Sequence, residues 1–106
     1  MKNTYFNFDR YDVPSHSQES LINYFVHGYE PGGFMTAVLQ NNLFGACAKA
    51  DHVNKQYLAQ IAGWIVNNAP QGSWGNEELV KSWLNKSPAR ERFEKEYLIH
   101  LLKTEV

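Results

Sequence analysis

The chain has a single cysteine, no apolar run longer than a few residues and almost no net charge. Each of these shortages removes a class of protein. Cys47 cannot close an intramolecular disulfide, and without a second cysteine there is no paired-thiolate zinc site. Set among Gly45, Ala46 and Ala48, it reads as a buried thiol, because a reactive one needs thiolate-stabilising neighbours and exposure. A reducing cytoplasm suits such a chain. A membrane span needs about 20 apolar residues in succession, and none are present. Residues 1–12 hold no apolar h-region, so no secretory signal is expected there.

The charge balance excludes partners recruited by field alone. Residues 1–53 carry Lys2, Arg10 and Lys49 against five acids, and residues 54–106 carry seven basic residues against six acidic ones. Neither half has the positive field that non-specific nucleic-acid binding requires. Neither has an acidic block long enough to imitate DNA.

The usual chemical constellations are missing too. No two of His16, His27, His52 and His100 lie three to five residues apart, so zinc-ligand spacing is absent. The only Gly-Ser-x-Gly run, Gly72-Ser73-Trp74-Gly75, is not a nucleophile elbow, and Gly32-Gly33 is not followed by Lys and Ser or Thr as in a phosphate loop. His27 with Glu30 and Asp51 with His52 are neighbours in sequence only, and His100 near the end of a helix is favoured by the dipole. No catalytic residue, metal ligand or cofactor site is therefore expected, and the chain is read as a non-enzyme.

What is present is core material: 43% hydrophobic residues, 14% of the chain aromatic, in 106 residues. That length fits one domain, able to bury roughly two-thirds of its unfolded surface. Residues 1–13 alternate aromatic and polar positions, as in an extended arm or short strand laid on the core. Ser15 and Gln18 have capping-box spacing and open a helix over 16–28, stopped by Gly28. Pro31 and Gly32-Gly33 break the chain. Short helices are then expected over 33–40 and 43–49, separated by Asn41-Asn42.

Asp51 is an N-cap for a helix over 52–68, whose stripe is Val53, Tyr57, Leu58, Ile61, Trp64 and Ile65. Asn76 caps the next, with Glu77 and Glu78 in its first turn and Leu79, Val80, Trp83 and Leu84 inward. Ser87-Pro88 starts the last helix. Phe93, Tyr97, Leu98, Leu101 and Leu102 are expected inside it, and Glu91–Lys95 and Arg92–Glu96 pair on its outer face. The expected fold is mainly α: a compact single-domain bundle of five to six short helices over residues 1–106, with 1–13 as an arm and 87–106 as a peripheral terminal helix that another chain could hold.

The functional expectation rests on two glycine–aromatic turns, 27–34 and 72–75, since rigid aromatics on loops serve as binding anchors. Tyr29, Glu30, Gly32, Gly33, Phe34 and Trp74, with Arg90 and Arg92 of the last helix, form the candidate interaction surface. A helix-turn-helix reading of 33–40 and 43–49 is weaker, because the second of these offers only Lys49 to DNA. The polar face of helix 52–68, with Asn54, Lys55, Gln56, Gln60, Asn67 and Asn68, is the better nucleic-acid candidate but lacks arginine.

The run from Tyr29 to Ala46, then Ala50-Asp51, Trp64 to Pro70 and Gly72-Ser73-Trp74-Gly75, resembles a family of small uncharacterised proteins of tailed bacteriophages and prophages. The resemblance covers roughly residues 20–85 and leaves out the arm and the last helix. It implies a phage origin and residence in the host cytoplasm, and supplies no activity or site. Small phage proteins without catalytic residues often act by blocking a host or defence protein. The resulting expectation is a non-catalytic protein-binding modulator, with a host or phage protein as partner and a homodimer as a further state. The alternative is a small nucleic-acid-binding regulator; no membrane partner is expected.

Overall fold

A computed structural model of the chain describes residues 5–104; the first four positions of the expected arm and the last two of the chain lie outside the described residues. The helices, in chain order, are α1 (Ser15–Ile22), α2 (Gly33–Leu39), α3 (Leu43–Lys49), α4 (His52–Asn68), α5 (Glu77–Leu84) and α6 (Pro88–Thr104). α1 runs on into a π-helical turn, Asn23–His27. No strand occurs among the described residues, so the arm packs as irregular chain rather than pairing. The mainly α single-domain bundle is the observed architecture.

Three of the four side-chain caps form as the sequence predicts. Asp51 accepts from the Asn54 amide at 2.7 Å and Asn76 from that of Leu79 at 2.8 Å. Ser87 Oγ accepts from the Arg90 amide at 3.2 Å. Each satisfies a backbone donor that a helix start otherwise leaves free. The Ser15–Gln18 capping box does not form. The helix begins one residue early, on Pro14, whose carbonyl takes the Ser17 and Gln18 amides at 3.0 Å. Ser15 is thereby inside the first turn, and the Gln18 side chain donates instead to the Val13 carbonyl at 2.8 Å. Asn42, read from sequence only as an interruption, caps α3 by accepting from the Gly45 amide at 2.9 Å. Gly28 closes the π turn at φ +67°, a left-handed conformation that L side chains rarely adopt.

The core is aromatic and spans the whole chain. Phe6 and Phe8 of the arm, Phe25, Trp64 of α4, Trp83 of α5 and Phe93 of α6 are all buried. Phe8 stacks on Trp64 with centroids 4.2 Å apart, and Phe6 lies against Phe25, Trp64 and Phe93. The alternation in the arm thus does what the pattern suggests: Phe6 and Phe8 face in, while Asn7 and Asp9 face water. Both core indoles are hydrogen-bonded, Trp64 Nε1 to the Asn7 carbonyl at 2.8 Å and Trp83 Nε1 to that of Tyr24 at 3.1 Å. The large hydrophobic area of each ring is therefore buried without stranding its polar atom.

The outer ends of the apolar stripes depart from expectation. In α6 only Phe93 is buried and Tyr97 half-buried; Leu98, Leu101 and Leu102 are exposed, together with Ile99. At 17 residues, roughly 25 Å, this helix outruns the body it packs on. Val53 of α4 and Leu79 of α5, both in first turns, are exposed as well. The ion pairs of α6 also differ: Glu94 takes both Arg90, at 2.8 Å, and Lys86, at 3.3 Å. Cys47 is exposed, against the expectation of a buried thiol. α3 buries only Ala46, and a one-residue step along a helix turns the next side chain well away from the core.

Candidate functional site

The two glycine–aromatic turns have different fates. The second, around residues 72–75, is a structural clasp. Ser73 is fully buried, its Oγ donating to the Pro70 carbonyl, and its own carbonyl accepts from Tyr24 Oη at 2.8 Å. The Gly75 amide donates to the Leu39 carbonyl at 2.8 Å, and Trp74 is half-buried against the core. This turn joins the α1, α2 and α4–α5 regions, and its one aromatic, Trp74, is partly withdrawn into the core.

The first turn is open at one end only. Tyr29 is 61% exposed and stacks on the His27 ring at 5.2 Å, and Glu30, Gly32 and Gly33 are exposed beside it. Phe34, placed on the candidate surface from sequence, is instead 8% exposed and belongs to the core, because it lies in the first turn of α2 on the face that packs inward.

Arg90 is also withdrawn from the candidate surface. Its guanidinium donates to the Trp83 and Leu84 carbonyls at 3.0 and 3.2 Å and pairs with Glu94, leaving the side chain 12% exposed. It caps the C-terminal end of α5, where a cation is favoured by the free carbonyls and the dipole. Its planar head lies directly against the Cα of Gly28. Arg92 is exposed and borders a small cavity of about 150 Å³ with Tyr5, Pro70 and Glu96. Gly32, Gly33 and Phe34 border a different one, of mixed character, with His16, Lys49 and Asn54. The eight residues selected from sequence therefore do not share one surface.

An apolar opening lies elsewhere, between the α2–α3 turn and α4. It is a groove of about 450 Å³ lined by Val38, Leu43 and Ala46 on one side and Leu58, Ala59 and Ala62 on the other. Asn41, Asn42, Lys55 and Gln56 supply its polar groups. Two large side chains of α3 stand in water here: Leu43 is 60% exposed and Phe44, its neighbour, 85%. On α4 the residues Lys55, Ala59, Ala62 and Val66 recur at four, three and four, which places them in one line along the helix, and Val66 is exposed. Sequence reading followed only the larger stripe of α4 and passed over this second line of small apolar residues. That line was the available signal; that α3 would leave Leu43 and Phe44 outside was not visible.

The polar face of α4 is less free than its composition suggests. Asn67 and Asn68 donate to the Gly63 and Trp64 carbonyls of their own helix, and Asn54 Oδ1 pairs with His16 Nε2 at 3.2 Å. Lys49 of α3 packs along Gly33. Among the described residues no group of three His, Cys, Asp or Glu could hold a metal ion, and no helix is long and apolar enough to cross a membrane. None of the three cavities named above is lined by His27, Glu30 or His52.

Among the described residues the one strongly perturbed titrating group is structural. Burial pushes the Tyr24 phenol well above its ordinary value of 10.0, with the Arg90 charge opposing. Tyr5 is raised as well, by burial and then by Glu96. A tyrosine that ionises more easily unfolded than folded stabilises the fold below its unfolded pKa, and that contribution is lost as pH rises past it. The melting temperature is therefore expected to fall between about pH 9 and 11. Tyr24→Phe should flatten that fall while lowering the plateau at neutral pH, and an unchanged slope would assign it to other groups. Compared with protein-family models, curated proteins and solved structures, the chain matches none.

Proposed function

We propose that the chain is a small phage-type modulator that acts in the host cytoplasm by binding a host or phage protein, without catalysis, through the groove between α3 and α4. The observation that carries this reading is the exposure of Leu43 and Phe44 on an ordered helix at an apolar groove. Exposed aromatic and aliphatic side chains beside a concavity are the usual anchors of a protein interface. The groove has one cation, Lys55, and no acid in its lining. That suits an amphipathic helix carrying an acidic residue next to its apolar ridge. The turn bearing Tyr29 is a secondary contact point on this reading, because α2 connects it directly to the α2–α3 turn.

The test is capture from host lysate by immobilised chain, run in parallel with Phe44→Glu. Phe44 is so exposed that its replacement leaves the core untouched. A specific protein retained by the parent and lost with Phe44→Glu supports the groove. Equal retention by both moves the binding surface elsewhere, and no specific retention at low salt removes the modulator reading.

A further inference from the structure

Ser17 of α1 is a buried polar residue, 2% exposed, whose hydroxyl has no partner in the fold. A buried helical serine can bond back to the carbonyl four residues before it. Here that carbonyl, of Val13, takes the Gln18 side chain at 2.8 Å, and Ser17 Oγ makes no hydrogen bond among the described residues. Every fully enclosed side-chain nitrogen or oxygen among them is hydrogen-bonded, so the sliver of Ser17 that solvent reaches includes its hydroxyl. The opening it borders is the mixed cavity, of about 280 Å³, between α1, the start of α2 and the α3–α4 junction. A buried hydroxyl without a partner is costly, and a ligand oxygen in this cavity removes that cost.

The rest of the lining supplies donors and no Asp or Glu. Ser20, three residues on and on the same face of α1, brings a second hydroxyl. Lys49 brings an ammonium that forms no ion pair among the described residues. Its stem lies along Gly33, where a Cβ would stand 3.1 Å from Lys49 Cδ and 3.8 Å from Nζ. Asn54 of α4 engages His16 Nε2 through its Oδ1 at 3.2 Å, so its amide N–H groups have no partner among the described residues. We propose that this cavity binds the phosphate group of a small phosphate monoester. Lys49 supplies the charge, and Ser17, Ser20 and Asn54 donate to the phosphate oxygens; hydrogen bonds to an ionised acceptor are the strong ones. The donors belong to α1, α3 and α4 and so reach the cavity from three elements, which suits a tetrahedral anion better than a planar carboxylate. The volume lies just under the roughly 300–1,000 Å³ of pockets for drug-sized ligands, so the group carrying the phosphate is compact. Phe34 and Met35, both buried, give that group an apolar wall. The cavity shares no residue with the α3–α4 groove, and the proposal is independent of the modulator reading.

The test is titration of the purified full chain with inorganic phosphate, glycerol 3-phosphate and acetate at constant ionic strength, read by amide chemical shifts. Saturable shifts are expected at Ser17, Ser20, Gly33 and Asn54, with a Kd for phosphate of about 1 mM, as suits so small an anion. Glycerol 3-phosphate is expected to bind more tightly than phosphate, and acetate more weakly. Lys49→Met keeps the stem and removes the charge at an exposed position, and should weaken binding about tenfold or more. Ser17→Ala removes only the hydroxyl and should weaken it about fivefold. Lys95→Met, an exposed lysine of α6 outside the cavity, should leave binding unchanged. The absence of a saturable shift up to about 10 mM phosphate overturns the proposal, as does a Lys49→Met chain that binds like the parent. An equal loss in Lys95→Met overturns it too, since the attraction is then diffuse. Acetate binding as tightly as phosphate overturns the tetrahedral assignment, and glycerol 3-phosphate binding no more tightly than phosphate overturns the monoester.

Discussion

Replacing Trp64 with alanine is expected to cost about 3–5 kcal/mol, the range for deleting a fully buried large aromatic. Small domains are stable by roughly 5–15 kcal/mol, so this one change removes about a fifth of the total or more. The reason lies in what the ring joins. Trp64 has no exposed surface, stacks on Phe8 at 4.2 Å and meets Phe6 and Phe25 at about 6 Å. Its N–H is the bond that ties the arm to α4. Alanine leaves a cavity bounded by three rings from two separate segments, and the arm loses its bond to α4. Trp64→Phe separates the two contributions. It keeps most of the stacking and forfeits the bond to the Asn7 carbonyl, which is near solvent and can take water instead, so a loss near 1 kcal/mol is expected. Urea titration measures both. A loss below about 1 kcal/mol for Trp64→Ala would mean that the arm is not part of the cooperative core.

The second large effect is expected at Gly28, and it depends on Arg90. A Cβ at Gly28 would meet the Arg90 guanidinium, and the residue sits at φ +67°. The positive φ alone costs alanine about 1–2 kcal/mol. Shifting the guanidinium weakens its bonds to the Trp83 and Leu84 carbonyls and to Glu94 without breaking all three, a loss of the order of one charge-assisted bond, about 1.5–3 kcal/mol. A flexible arginine on the surface would simply swing aside; this one is held at three points. Gly28→Ala is therefore expected to destabilise by roughly 2–4 kcal/mol. In an Arg90→Ala background the same change should cost only the backbone contribution. The double-mutant cycle reads the difference as a coupling of about 1–3 kcal/mol. Simple additivity would show that the guanidinium yields freely and that Arg90 is a surface residue after all.

Much of this fold is legible from local chemistry. Asp51, Asn76 and Ser87 mark helix starts because the capping bond reaches only three residues. Gly28 marks a stop because its conformation excludes other residues. Where Ser15 misleads, the competing signal is Pro14, whose carbonyl opens the helix first. What local chemistry does not contain is how far the body extends beneath each helix. Leu98 and Leu102 have the spacing of core residues and yet are exposed. Ala46 and Cys47 are adjacent and equally small, and which of them faces in depends on how α3 rolls against α2. The groove is a tertiary object made from both uncertainties, so sequence reading placed the candidate surface on conspicuous turns. One of those turns, with Phe34 and Arg90, proved to be internal bracing.

The long-range closure of the core sets an order on biosynthesis. Tyr5 packs on Phe93 and Tyr97, and the Asn7 carbonyl waits for an indole 57 residues later. A chain still emerging from the ribosome holds Phe8 without its stacking partner until Trp64 of α4 has left the exit tunnel, and Tyr5 and Phe6 without all of theirs until Phe93 and Tyr97 of α6 have. Such a domain cannot fold helix by helix as it is made, and sequence-distant contacts of this kind slow the final step relative to a bundle of local hairpins. The nascent protein spends its synthesis with its aromatic arm exposed, which makes that arm the segment a chaperone would meet first.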